Sequence, residues 1–176
     1  MFNIPVCILF VPFFLTIMED LKIIITQDDV DRYNRVYFAA HPRAKKLRIK
    51  GPEHPSLNWY MTANNMEVND VKQDWKKFIL DILEDRGLLN VQIDKCVVVY
   101  TTYFKTRKNI DADNITPKFI FDGLVAGGLL VDDSIRHVAL FTQGFYDAKN
   151  PRIELEFKNI QRKGEKKNGE EKFTGM

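Results

Sequence analysis

The sequence predicts a small α/β (α+β) domain, a mixed β-sheet flanked by two main helices. Three observations carry this. Two β-branched runs stand at Lys22–Gln27 and Lys95–Phe104. Two stretches, 69–86 and 116–128, repeat apolar residues at helical spacing. A third kind of segment, Arg152–Phe157, alternates strictly, with Ile153, Leu155 and Phe157 on one face.

The elements run in chain order. Lys22–Gln27 ends at Asp28-Asp29 and reads as the first strand. In 69–86, Val71, Trp75, Phe78, Ile79, Ile82 and Leu83 form a buried stripe. Asn69 or Asp70 is placed to cap that helix and Gly87 to close it. The strand Lys95–Phe104 runs into polar Lys105-Thr106-Arg107-Lys108-Asn109. The second helix is expected to start at Thr116-Pro117, with Thr as cap and Pro in the first turn, and to stop at Gly127-Gly128. Ile135–Thr142 is expected to be a strand, then a turn at Asp147–Pro151 and the alternating strand at 152–157.

Composition bounds the partners. The chain has 176 residues, enough for one domain, and its 45% hydrophobic and 28% charged content excludes a mainly disordered chain, collagen or a polytopic membrane protein. Against 24 acidic residues stand 26 Lys and Arg, so the net charge of +2 attracts nucleic acid only through a local patch. Such a patch exists. From Arg32 to Lys50 the chain carries Arg32, Arg35, Arg43, Lys45, Lys46, Arg48 and Lys50 with no acid after Arg32, interleaved with Tyr33, Tyr37 and Phe38. This composition suits contacts to phosphates with aromatics to stack on bases, and equally suits a solvated loop.

Cys7 and Cys96 lie far apart and make neither a disulfide framework nor a metal motif, which fits a reducing, cytoplasmic setting. His41, His54 and His137 show no ligand spacing. Residues 1–17 are apolar, carry no charge and contain Pro5 and Pro12. They read as an extension outside the domain, with Met18 as the true start, or as a membrane anchor; the prolines and lack of flanking cations argue against a span or a secretory signal. The expected domain is 18–157. From Lys158 to 176 a basic, nearly apolar-free tail is expected to be disordered.

The chemistry is concentrated in Asp111-Ala112-Asp113-Asn114, between the second strand and the second helix. In extended backbone, residues two apart point the same way, so both carboxylates are expected to face one point, which then needs a cation. A hard ion such as Mg²⁺ is held by one or two carboxylates, waters and phosphate oxygens. Asp132-Asp133, past the helix, is placed to complete the cage, while Lys105, Arg107 and Lys108 supply counter-charge to a phosphodiester. That set points to metal-assisted phosphoryl transfer. The bland reading is a solvated turn ahead of a helix cap. A dehalogenase-type phosphatase is disfavoured, because its nucleophilic aspartate ends an apolar strand, whereas Thr106–Asn109 is polar.

The run Asp111-x-Asp113-Asn114, Lys118, Asp122-Gly123-Leu124, Gly128 and Asp132-Asp133 resembles the core motif of the RusA-like Holliday junction resolvases, metal-dependent endodeoxyribonucleases of phage and prophage origin. The similarity spans Tyr100 to Phe157. It implies a homodimer that uses Mg²⁺ to cut branched DNA, such as four-way junctions, in recombination and repair. By position it implies that Asp111, Asp113 and Asp133 are metal-binding catalytic acids and that Lys118 assists at the scissile phosphate, with Asp132 a weaker ligand. Arg43, Lys45, Lys46 and Arg48, with Lys105, Arg107 and Lys108, are the expected DNA contacts. One spacing departs from the pattern: Lys118 stands five residues after Asp113 where the family has four, which places an extra residue between Asn114 and Pro117 and leaves Lys118 in the helix's first turn. The alternative from another class is a non-catalytic DNA-binding module with a structural acidic cluster.

Overall fold

The computed structural model describes residues 20–107 and 109–164. Its elements are β1 (Asp20–Thr26), α1 (Gln27–Ala40), α2 (Leu57–Thr62), α3 (Asn65–Asp85), β2 (Ile93–Phe104), a 3₁₀ turn (Ala112–Asn114), α4 (Lys118–Ala126), β3 (Val138–Tyr146) and β4 (Arg152–Arg162). The four strands form one mixed sheet in the order β1-β4-β2-β3. β4 runs antiparallel to both β1 and β2, and β2 runs parallel to β3. This is the expected α+β domain.

Alternation decides which face of the sheet is covered. Leu21, Ile23 and Ile25 of β1, Ile153, Leu155 and Phe157 of β4, and Val98 and Tyr100 of β2 are buried. They join one core with the stripe of α3 (Trp75, Phe78, Ile79, Ile82, Leu83) and with Phe119, Ile120 and Leu124 of α4. On the other face of β4, Glu154 is nearly buried among cations: Lys22 Nζ lies 2.7 Å and Arg152 Nε 2.6 Å from its carboxylate oxygens. Burial opposes its ionisation, but the hydrogen bonds from Lys22 and Arg152 outweigh it and hold the carboxyl below its usual range. Arg152 also lies over the Tyr103 ring, 3.5 Å from its centroid.

Several elements depart from expectation. The basic stretch opens as a helix, α1, whose start is a capping box: Thr26 Oγ1 accepts from the Asp29 amide, and the Asp29 carboxylate accepts from the Thr26 amide. Arg32 pairs with Asp81 and Asp85 of α3 and is therefore a packing residue. α3 starts four residues before Asn69, because Asn64 caps it by accepting from the Glu67 amide. Gly87, at φ +64°, succeeds its last turn as expected. α2 has no counterpart among the expected elements; Ser56 caps it. β3 starts three residues and ends four residues later than the expected span, and β4 continues through Lys158–Arg162, so the domain extends past 157. Residues 1–19, which include the apolar extension and Cys7, lie outside the described residues, as do Lys108 and 165–176. Among the described residues no helix is long and apolar enough to cross a membrane.

α3 and α4 pack at close range because α4 presents glycines to α3. A Cβ on Gly123 would stand 2.6 Å from Ile79 Cβ, and one on Gly127 would stand 2.5 Å from Leu83 Cδ1. Gly123→Ala gains helix propensity of about 1 kcal/mol, yet overpacking a close-packed core costs about 1–3 kcal/mol. The expected outcome is a lower urea midpoint. Combining it with Ile79→Ala is expected to cost only slightly less than the sum of the two single changes, because alanine removes the Cγ2 and Cγ1 atoms at 2.8 and 3.1 Å but keeps the Cβ at 2.6 Å.

Candidate functional site

Strand direction sets where the acids lie. β2 and β3 are parallel, with Cys96 opposite Val138 at one end and Phe104 opposite Tyr146 at the other. The chain must therefore leave the C-terminal end of β2, return along α4, and enter β3 beside the start of β2. Asp111 and Asp113 are at the C-terminal end, where Ile115 Cδ1 crowds the backbone of Gly144 and the Asp147 amide donates to the Phe104 carbonyl. Asp132 and Asp133 are at the opposite end, where the Val131 amide donates to the Ile93 carbonyl. About eight residues of strand separate the two levels, on the order of 25 Å. Ligand bonds to Mg²⁺ are about 2 Å long, so no ion touches both pairs within one chain. Among the described residues no group of three or more His, Cys, Asp or Glu is placed to hold a metal ion. The expectation that Asp132-Asp133 folds back onto Asp111 and Asp113 within the protomer is corrected on this point.

The backbone at Asp111–Asn114 also differs from the extended form expected. Asp111 is the N-cap of the 3₁₀ turn and Asp113 lies inside it, with the Asn114 amide donating to the Asp111 carbonyl at 3.0 Å. A 3₁₀ turn rotates by about 120° per residue, so the backbone here does not impose the same-side placement that a strand would give. Both are exposed.

Lys118 is the first residue of α4, as its register predicts. Its ammonium lies 5.8 Å from the centroid of the Tyr60 ring, on α2. The cap of α4 is not Thr116. Pro117 occupies the cap position without a side-chain hydrogen bond, and His54 supplies the acceptor from the loop before α2: its Nε2 accepts from the Phe119 amide at 3.1 Å. Nδ1 accordingly carries the proton and donates to the Pro55 carbonyl at 2.8 Å. His54 sits against Trp75 and Phe119, with ring centroids 5.1 and 5.2 Å away, and burial pushes its pKa down to about 4. Nothing in the spacing of His54 points to this role; Pro55-Ser56 is the local signal for the helix that carries Tyr60.

Two basic residues follow β2 at the same end. The Lys105 amide donates to Glu53 Oε1 at 3.1 Å, and both Lys105 and Arg107 expose their side chains. Arg107 lies 5.1 Å from the centroid of Tyr146. Arg43, Lys45 and Lys46 are exposed on the loop after α1. Arg48 is more constrained: it stacks on Tyr37, 4.6 Å from the ring centroid, donates to the Tyr37 hydroxyl, and pairs with Asp74 at 3.6 Å. Asn34 holds this loop against α1 by donating to the Ile49 carbonyl and accepting from the Arg48 amide.

At the other end, Asp132 has a structural partnership. Its carboxylate accepts from the Asp133 amide at 2.8 Å, and chiefly a hydrogen bond from Ser134 holds its pKa below the usual carboxylate range. His137 donates from Nδ1 to the Asp94 carbonyl at 2.7 Å and stands 3.9 Å from Asp132. Asp133 itself is exposed.

No protein-family model matches this chain, and no curated protein matches it significantly.

Because His54 is neutral in the fold and titrates near 6.5 once unfolded, the unfolded chain takes up a proton that the folded chain refuses. Its contribution is thus present above pH 6.5 and lost as pH falls from 6.5 towards 4. The urea midpoint is expected to decline across that window, and His54→Gln, which keeps an acceptor for the Phe119 amide but cannot titrate, is expected to flatten the decline.

Proposed function

We propose that the protein is a Mg²⁺-dependent endodeoxyribonuclease of branched DNA, of the RusA-like kind, acting as a homodimer. The observation that carries this reading is the C-terminal end of β2, where Asp111 and Asp113 share one end of the sheet with Lys118, Lys105 and Arg107. Acids for a hard cation and cations for a phosphodiester are the two halves of a phosphoryl-transfer site.

The missing third acid is accounted for by a second copy. Among the described residues β3 is an edge strand, and along it Leu140, Phe141, Phe145 and Tyr146 are exposed, Phe141 by 62%. A long, apolar, uncovered edge invites pairing with another strand. A two-fold axis pairs an edge with itself, and two copies of one strand related by that axis run antiparallel. The start of one β3 then lies beside the end of the other, and the partner's Asp133 approaches Asp111 and Asp113. Two such sites arise per dimer, matching the two symmetric cuts that a four-way junction requires.

In this arrangement Asp111, Asp113 and the partner's Asp133 would hold Mg²⁺, which supplies Lewis acidity at the scissile phosphate and acidifies water. Lys118, fixed by the His54 cap on α4, places an ammonium where negative charge develops on the phosphate. Lys105 and Arg107, with Arg43, Lys45 and Lys46, hold the flanking strand by its phosphates. Arg48 adds charge but is shared with Asp74.

A second reading is favoured by the separation of Asp132-Asp133 from Asp111 and Asp113: a DNA-binding module whose acids are structural. Incubating the full chain with a synthetic four-way junction, with Mg²⁺ and then with chelator, separates the two. The nuclease reading expects paired nicks that chelator abolishes. It also expects Asp113→Asn to bind the junction as the wild type does while cleavage falls at least about a hundredfold. Binding with no cleavage by the wild type under any divalent ion supports the module instead.

A further inference from the structure

A second feature lies beside the candidate site and plays no part in the chemistry assigned to it. Between the loop after α1 and the start of α3 is a cavity of about 300 Å³. Trp75 lines it and is 3% exposed, while Trp59 of α2, also in the lining, is only partly buried. Arg48, Lys50, Glu53 and Glu67 are the charged residues of its lining. A site of this volume is at the small end of ligand pockets and takes one planar group with its attached phosphate, not a helix or a strand. It is continuous with the candidate site, because Glu53, which also lines it, accepts from the Lys105 amide at the end of β2.

We infer that this cavity receives one unpaired nucleobase bearing an exocyclic amino group, stacked on Trp59. Each wall corresponds to part of a nucleotide. The indole face offers stacking, which every base accepts. Arg48 and Lys50 offer charge to the adjoining phosphate. The carboxylate of Glu67 accepts hydrogen bonds only, so it favours an exocyclic amino group such as that of cytosine or adenine over thymine, whose single N3–H donor lies between two carbonyl oxygens that repel the carboxylate. Unpaired or readily unpaired bases occur where strands branch, and taking one out of the stack costs least there. The inference rests on the proposed binding of DNA but not on cleavage.

Both tryptophans of the chain line this cavity, so intrinsic emission reports on it directly. The full chain is titrated with short single-stranded oligonucleotides of cytosine or of thymine, and with linear duplex. Emission gives entry into the cavity, and anisotropy of an end-labelled strand gives binding. The expected result is a change in tryptophan emission with oligo-dC and binding several-fold tighter than oligo-dT. Trp59→Ala is expected to weaken oligo-dC binding roughly tenfold with linear duplex binding unchanged, Trp59→Phe to retain most of it, and Glu67→Gln to erase the preference for cytosine. If DNA binds but emission does not change, or Trp59→Ala binds oligo-dC as the wild type does, no base enters the cavity and the inference fails while the DNA reading stands. If neither single strand nor duplex binds, the DNA reading fails and takes the cavity's assignment with it.

Discussion

Two parallel neighbouring strands cannot be joined by a short turn; the chain must travel back the length of the strand before it pairs again. β2 and β3 are such a pair, and α4 is the return path. The layout of the site is set by this. Residues before the return path gather at one end of the sheet and residues after it at the other, so Asp111 and Asp113 are held away from Asp133 however the loops adjust. The strand order leaves β3 at the sheet edge, paired on one side only among the described residues, with aromatic side chains exposed along it. Separation of the acids and exposure of the edge are therefore two results of one topology. The proposed two-fold pairing of that edge would answer both.

What fixes Lys118 is a second, smaller set of interactions. α4 has nine residues, too few to be stable alone, and it is held by burial against α3 and by a borrowed cap. The glycines at 123 and 127 let its backbone approach Ile79 and Leu83, and His54 supplies the acceptor that Pro117 lacks. The imidazole can do this only while neutral, and its aromatic surroundings keep it so. Helix position, and with it the position of the ammonium over Tyr60, is thereby tied to the loop that also borders the Trp59 cavity.

Much of this is legible in the sequence, and the misses have physical causes. β1, β2, α3, α4 and β4 announce themselves because their buried residues repeat at 2 or 3.6 positions. α1 does not, since its inward face includes Asn34, a polar residue that is buried because the loop at 48–49 satisfies its amide. α2 buries nothing fully and leaves no stripe. The proximity of Asp111 to Asp113 along the chain is evident, whereas their distance from Asp133 is not, because local spacing says nothing of strand direction. The strand–helix–strand order of 95–142 does contain that information: it implies a parallel crossover, and a crossover sends the residues before it and the residues after it to opposite ends of the sheet. The role of His54 depends on a contact between residues 54 and 119 and has no local signature.

Completion of one chain's acids by those of another can be tested by mixing two inactive proteins. One chain carries Asp111→Asn with Asp113→Asn and the other carries Asp133→Asn; they are exchanged by mild denaturation and refolding, then assayed for nicking of a four-way junction with Mg²⁺. If the site is shared across a two-fold axis, each mixed dimer holds one intact site beside one that lacks all three acids, and equal mixing restores roughly a quarter of wild-type nicking. If all three acids act within one chain, or none acts, the mixture stays as inactive as its parts or the single variants retain activity, and a shared site is contradicted.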